Sequence, residues 1–156
     1  MTSRVLHLYR AFERKPLGKW LFSRLVCLKA PYFASIAPRI VSLEPGCGEA
    51  TLRHRRRVSN HLGTVHAIAL CNLAEFIGGL TTDASIPASM RWIPRGMSVE
   101  YLKKATGNMR AVATLHEPAR ESAQAYELPV RVEVLDVAGE AVFRATIRMW
   151  VSVRRT

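Results

Sequence analysis

Apolar residues surround almost the whole circumference of one predicted helix near the middle of the chain. Residues 66–80 read HAIALCNLAEFIGGL, and their apolar positions are not confined to a single stripe. A helix that is apolar on all sides is expected to be buried. The segment also carries one acid, Glu75, whose ionised carboxylate is costly to bury without a partner or a chemical role. Asn72 and Ile68 share a helix face with Glu75, so we expect an amide and an acid in one pocket.

Alternating apolar and polar residues predict a β-sheet around this helix. A hairpin is predicted from strands 39–43 and 49–56 across the turn 44–48, and a connection over 81–88 follows the helix. Four more strand-like runs cover 90–103, 109–117, 128–137 and 141–153. One buried helix embraced by a curved antiparallel sheet satisfies both patterns, which makes the predicted class α+β.

Two amphipathic helices are predicted before the sheet, over residues 4–13 and 18–29. In the second, Trp20, Leu21, Leu25 and Leu28 form one apolar stripe, which we expect to pack across the sheet or a dimer interface. The alternative for this helix is a membrane surface, because its flank is cationic. We divide the single structural domain into an N-terminal helical extension, 1–37, and a main unit, 38–156.

Composition narrows the class of protein. A chain of 156 residues with 49% hydrophobic and 22% charged residues is typical of one globular domain. Its three cysteines form no CxxC pair and no cluster with histidines, so neither a disulfide framework nor a metal site is expected, and a cytoplasmic location is predicted. The first fifteen residues lack the apolar run of a signal peptide. Polar residues interrupt the longest apolar segment, which argues against a membrane span.

The net charge of +11 is concentrated at one end of the chain. Residues 1–57 contain 12 Lys and Arg against 3 Asp and Glu, a net charge of +9, whereas residues 58–156 carry +2. Such a surface attracts phosphates, acidic proteins, nucleic acid or anionic lipid, and charge alone does not choose among them.

A short motif adds a family resemblance. Asn60, Gly63, Thr64 and His66, followed by Glu75, resemble the N-x-x-G-T-x-H-G-G pattern with a downstream acid in phenylacetyl-CoA-type hotdog thioesterases. The segments 97–105 and 107–115 are similar to the strands that follow the helix in that family, and the resemblance extends over about 38–153. Within the superfamily, the chain resembles most an uncharacterised branch described as a domain of unknown function.

The resemblance implies a hotdog fold and hydrolysis of an acyl-CoA or acyl-carrier thioester. Glu75 takes the place of the acid that acts as general base or nucleophile, while Asn60 and His66 match loop residues that hold the thioester carbonyl. Backbone N–H groups at the start of the helix would face the oxyanion. Substrate contacts are implied for Gly63, Thr64, Ala67 and Asn72. No cofactor is implied beyond the coenzyme A moiety of the substrate.

One departure from the family pattern leaves a second reading open. The family has Gly-Gly after the histidine, whereas this chain has Ala67-Ile68, and a bulky Ile68 narrows the approach to the backbone. The alternative is therefore a non-catalytic acyl-CoA or lipid-binding hotdog protein. Hotdog dehydratases are a further alternative, but their His-to-acid spacing and proline-rich loop are missing.

Helix geometry predicts that the site is shared between subunits. Nine residues of α-helix separate His66 from Glu75 by about 13.5 Å and about 180° of rotation. The two side chains of one chain therefore cannot meet at one carbonyl. We predict a homodimer, with pairing into a tetramer left open.

The densest positive cluster is Arg53-His54-Arg55-Arg56-Arg57. A solvated strand end is its commonest explanation, and the functional alternative is a clamp in which Arg55, Arg56 and Arg57 hold the phosphates of coenzyme A. An acidic carrier protein would be drawn to the same surface. Nucleic acid is not predicted as a partner, because no aromatic pairs accompany the cluster. Stable membrane insertion is not predicted either.

Structural explanations compete with the chemical ones. Glu75 could form a buried ion pair with an arginine, which also perturbs acids. His66 could simply bond to a backbone carbonyl at the start of the helix. Asn72 could be a satisfied polar residue of a buried helix.

Overall fold

Three α-helices lie in the N-terminal and central parts of the chain, and the computed structural model describes residues 3–154. Helix α1 spans Arg4–Glu13, α2 spans Gly18–Lys29 and α3 spans Ala67–Ser85. The predicted bounds of α1 and α2 are confirmed. Ser3 begins α1 by accepting a hydrogen bond from the Leu6 backbone N–H, which satisfies one of the free donors at the helix start.

Six antiparallel strands form one sheet. They are β1 Arg39–Glu44, β2 Cys47–Leu52, β3 Met90–Tyr101, β4 Met109–Leu115, β5 Tyr126–Leu135 and β6 Ala141–Val153. Their spatial order is β1-β2-β4-β5-β6-β3, which leaves β1 and β3 at the edges. The predicted strands are all present. Helix α3 contacts all six of them, so the sheet curves around the helix as expected.

Side chains alternate between the two faces of the central strands. On β5, Leu128, Val130, Val132 and Val134 are fully buried, and the residues between them are less buried. This two-residue period places one face of the sheet against α3 and leaves the other toward solvent. Strand β3 departs from a regular ladder at Pro94, where the register shifts before Gly96.

Helix α3 continues beyond its predicted end. We predicted a connection from Thr81, but the helix runs to Ser85. The hydroxyls of Thr81, Thr82 and Ser85 donate to the carbonyl oxygens of Ile77, Gly78 and Thr81, respectively. Each polar side chain therefore satisfies itself within the helix and can remain helical in a buried setting.

The arginine cluster does not lie on a strand. Strand β2 ends at Leu52, and residues 56–58 form a short 3-10 helix, so the predicted strand to residue 56 is wrong. His54 stabilises this segment. Its Nδ1 accepts from the Gly107 N–H at 3.2 Å, so its Nε2 carries the proton and donates to Ser59 Oγ at 3.0 Å.

Helix α2 buries a different face from the one predicted to pack on the sheet, whereas the predicted alternative of a dimer interface stays a prediction. Its buried residues are Gly18, Phe22, Ser23 and Cys27. Trp20, Leu21, Leu25 and Leu28, predicted as the packing stripe, are all exposed. Phe22 packs edge-on against Tyr9 of α1 with ring centroids 5.3 Å apart, and Ser23 Oγ accepts from the Ile40 N–H of β1. Within residues 3–154, no helix is both long and apolar enough to cross a bilayer.

Candidate functional site

The loop before α3 is held by the amide of Asn60. Its Oδ1 accepts from the backbone N–H groups of Leu62 and Thr64 at 3.0 and 3.1 Å, and its Nδ2 donates to Thr64 Oγ1 at 2.9 Å. Gly63 completes the turn with φ +74°, a left-handed conformation that favours glycine. Asn60, Gly63 and Thr64 therefore shape this loop, and the Asn60 amide is already bonded within it.

His66 caps α3 through its side chain. Its Nδ1 accepts from the Ile68 N–H at 3.1 Å, so in the neutral ring Nε2 carries the proton and is a donor. The His66 carbonyl accepts from the N–H groups of Ala69 and Leu70. Among the described residues, the Ala67 N–H has no acceptor. The exposed His66 ring and the Ala67 N–H are thus the two donors that this helix start offers to a bound oxygen.

A cavity of about 210 Å³ lies beside His66. Asn72 and Ile68 line it, together with Ser35 and Arg57. Asn72 is buried and donates from Nδ2 to Ser35 Oγ at 3.2 Å, while its Oδ1 has no partner among the described residues. A buried acceptor without a hydrogen bond is costly, so a ligand N–H or O–H would stabilise it.

Glu75 lines a second cavity, of about 300 Å³. Its apolar walls are contributed by Val5, Val26, Phe33, Phe76, Leu80 and Trp92. These residues come from α1, α2, the 3-10 helix Pro31–Ser35, α3 and β3. The N-terminal helices, which lie outside the segment that carries the sequence motif, therefore form one side of this cavity.

Glu75 has no ion pair with an arginine or a lysine among residues 3–154. The structural alternative for Glu75, a buried ion pair with an arginine, is therefore absent among these residues. The carboxylate is half-buried at an apolar cavity that also receives Lys29 and Asp83. Such a group is available to accept a proton or a hydrogen bond from a bound molecule.

The prediction that Asn72 and Glu75 face one pocket is wrong for the single chain. Asn72 lines the cavity beside His66, whereas Glu75 lines the other one. Three residues along a helix leave the two side chains about 60° apart around its axis. The aromatic pair Phe33 and Phe76, with ring centroids 5.4 Å apart, lines the Glu75 cavity and not the one beside His66. The separation of His66 from Glu75 follows the helix geometry expected from the sequence.

Asp83 is an acid of the Glu75 cavity that the sequence analysis missed. It follows Glu75 by eight residues, or about two helical turns, and so returns to the same face. The predicted helix ends at Leu80 and does not include it, whereas α3 runs to Ser85. Trp92 of β3 lines this face as well, because Gly79 leaves room for it: a Cβ on Gly79 would lie 2.8 Å from the indole Cη2. Burial raises the pKa of Asp83 above 3.8, although Lys29, Arg154 and a hydrogen bond with Trp92 oppose the shift.

Replacing Asp83 by Asn should stabilise the protein at neutral and alkaline pH. An acid whose folded-state pKa is raised makes folding less favourable where it is ionised, so stability falls as the pH rises through that pKa. Melting temperatures of both proteins should therefore differ most at pH 8 and converge as the pH is lowered toward the ordinary carboxyl range. A lower melting temperature for Asp83→Asn at pH 8 would contradict this expectation.

The arginines predicted as one clamp separate in space. Arg57 lines the cavity beside His66, and Arg55 lines a different cavity of about 470 Å³ with Arg24, Arg39 and Arg53. Arg56 is exposed and lines neither. The 3-10 turn at 56–58 is what divides them, because successive residues in it point in different directions. Among residues 3–154, no three His, Cys, Asp or Glu side chains gather into a set that could bind a metal ion.

Comparison with known proteins places the chain in a family. Residues 18–151 match the family described as "Domain of unknown function (DUF4442)". This protein belongs to the DUF4442 family. The match begins at Gly18, so it includes α2 as well as the sheet and α3. Among curated proteins, none matches the chain.

Solved structures share the fold. A structure described only as a structural genomics target is 47% identical, with a TM-score of 0.81, over 96% of this chain and 99% of the other. A thioesterase from Haemophilus influenzae is 15% identical with a TM-score of 0.68, over 78% of this chain and 82% of its own. A thioesterase family protein from Silicibacter pomeroyi is 17% identical with a TM-score of 0.69, over 85% and 96%. The predicted hotdog fold is confirmed, and so is the predicted resemblance to a branch described as a domain of unknown function.

Proposed function

We propose that this DUF4442 protein is a thioesterase that hydrolyses an acyl-CoA or acyl-carrier thioester. The observation that carries the proposal is the Glu75 carboxylate, half-buried at a cavity of about 300 Å³ and without an ion pair among the described residues. A carboxylate that lines a cavity and has no ion pair is free to act as a general base. The named thioesterases among the structural neighbours support the proposal at the level of fold.

In this mechanism, Glu75 accepts a proton from a water molecule as the water oxygen attacks the thioester carbonyl carbon. The carbonyl oxygen becomes an oxyanion, which accepts hydrogen bonds from the Ala67 N–H and the protonated Nε2 of His66. Collapse of the tetrahedral intermediate breaks the carbon–sulfur bond. The thiolate takes up the proton from Glu75, so the products are a carboxylic acid and a free thiol. No metal ion takes part in the proposed reaction.

A second copy of the chain completes the proposed site. His66 and Glu75 of one chain line different cavities, so the donors and the base that act on one carbonyl come from two protomers. Strand β3 supports a homodimer because it is twelve residues long, lies at the edge of the sheet and exposes Ile93 and Tyr101. A long free edge with exposed apolar residues is a surface that proteins normally pair or cover.

The cavity beside His66 suits the part of the substrate on the sulfur side of the thioester, which belongs to coenzyme A or to a carrier protein. Its unpaired Asn72 Oδ1 would accept a hydrogen bond from an amide N–H, and Arg57 would bind a phosphate. Exposed Ile68 lines the same cavity, in the place where the family pattern has glycine. This residue favours the second candidate function, in which the protein binds an acyl-CoA or a lipid without turnover.

Thiol release from a panel of acyl-CoAs separates the two candidates. For a thioesterase we expect protein-dependent release of free thiol, detected with a chromogenic disulfide, for at least one acyl chain. The binding protein would instead show saturable binding of the acyl-CoA by calorimetry, with thiol release no faster than without protein. Light scattering of the same sample tests the dimer, and a monomeric mass would contradict the shared site.

A further inference from the structure

Helix α2 presents an apolar surface that the described chain does not cover. Leu17 and Leu28 are 76% and 77% exposed, and Leu21 and Leu25 are each 42% exposed. The last three lie within about 60° of the helix circumference, and Leu17 precedes the first turn beside them. We call Leu17, Leu21, Leu25 and Leu28 the leucine stripe. Leu17 holds this position with φ +58°, a conformation that is unfavourable for a residue with a Cβ.

The opposite face of α2 accounts for its attachment to the fold. Phe22, Ser23 and Cys27 are buried, and Lys19 Nζ donates to the Val41 carbonyl oxygen at 2.6 Å. The residues that attach α2 to the sheet therefore lie on the face away from the leucine stripe. Exposed apolar groups in a contiguous set indicate an interaction surface.

A cationic cavity borders the leucine stripe. It measures about 470 Å³ and is lined by Trp20 and Arg24 of α2, on the helix face next to the leucines. Three further arginines from β1 and from the segment after β2 complete the set, namely Arg39, Arg53 and Arg55. The cavity lining contains no Asp or Glu, and none of the four arginines forms an ion pair with residues 3–154. Four uncompensated guanidinium groups around one cavity repel one another unless an anion lies between them.

We propose that α2 and this cavity dock the protein on an anionic membrane surface. The leucine stripe enters the boundary between headgroups and acyl chains, the arginines bind lipid phosphates, and Trp20 lies at the interface. Charge complementarity selects this partner. A second copy packed on this surface would place its own four arginines against these four, whereas a nucleic acid would leave the leucines in water. The binding is peripheral and does not depend on thioester hydrolysis.

Cosedimentation of the full chain with vesicles tests the proposal. We expect binding to vesicles of phosphatidylglycerol and phosphatidylcholine at low salt, little binding to phosphatidylcholine alone, and release as the salt concentration rises. The double variant Leu21→Gln/Leu28→Gln should bind at least about 10-fold more weakly, because partitioning follows the apolar area that is buried. Arg24→Gln/Arg39→Gln should weaken binding about 25-fold, at about fivefold for each cation removed.

Two matched variants control for general surface effects. Val137 is 76% exposed in the hairpin turn between β5 and β6, and Arg131 is exposed on β5. Val137→Gln and Arg131→Gln should bind vesicles as the unmodified protein does. Melting curves confirm that each variant is folded. The proposal is overturned by a lack of binding to anionic vesicles at low salt, or by undiminished binding of the leucine variant. It is also overturned if light scattering shows that the leucine variant loses oligomeric mass, which would make the stripe an interface between copies.

Discussion

Replacing Glu75 by Gln should reduce thioester hydrolysis by about 100-fold to 10,000-fold, the range that removal of a general base produces. Glutamine preserves the size of the side chain, and the carboxylate has no ion pair among residues 3–154 that the change would break. The fold should therefore be retained. The measurement is thiol release over a range of acyl-CoA concentrations up to saturation, so that a loss in kcat is separated from a loss of binding. A rise in KM alone would assign Glu75 to substrate binding.

Asp83 supplies a matched control in the same cavity. It lies about 12 Å farther along α3 than Glu75, on the same helix face. Asp83→Asn should therefore change kcat much less than Glu75→Gln does. The opposite ranking, with turnover lost in Asp83→Asn and kept in Glu75→Gln, would move the base to Asp83 and reject the mechanism proposed for Glu75.

Replacing Gly18 by Ala should destabilise the protein by about 3 kcal/mol or more, the upper part of the range for overpacking a buried site. A Cβ at this position would lie 1.7 Å from the Phe12 carbonyl oxygen, which is backbone and cannot rotate away. That oxygen already accepts from the Lys15 N–H in the turn between α1 and α2. The two helices would have to separate. Chemical denaturation of the variant should show a lower midpoint with an unchanged slope.

The variant Gly96→Ala is the control for the contact between a Cβ at position 18 and the Phe12 carbonyl oxygen. A Cβ there would lie 2.5 Å from Arg148 Nη2, the end of a flexible side chain that can move. Gly96→Ala should therefore cost far less than Gly18→Ala. Equal losses would show that general effects of replacing glycine, rather than the contact with Phe12, control stability.

The junction of α1 and α2 also matters for the candidate site. Val5 of α1 and Val26 of α2 line the Glu75 cavity, and Phe33 follows in the 3-10 helix after α2. Any change that separates α1 from α2 should alter this wall. The proposed hydrolase site and the N-terminal helices are therefore one structural unit, although the sequence motif lies entirely between Asn60 and Glu75.

The spacing of apolar residues was sufficient to predict most of the helices and strands. The alternation along β6 and the all-round apolar α3 follow directly from how side chains leave a strand or a buried helix. Strand β6 has its predicted bounds, and α3 begins where predicted but ends later, at Ser85. The errors lie where local polarity is misleading. Thr81 and Thr82 look like a loop but bond back to the helix, and Arg53 to Arg56 continue no strand.

The amino-acid sequence by itself determined the order of the elements, the apolar central helix with an acid at Glu75, and the start of that helix at His66, where hydrogen-bond donors lie. Only the tertiary structure decided which surfaces meet. It placed Asn72 and Glu75 in different cavities, added Asp83 to the second, and left the leucine stripe of α2 outside the core. The spacing of apolar residues along a helix identifies its apolar face. Which face is buried depends on the shape of the surface against which the helix packs, and residues distant in the chain form that surface.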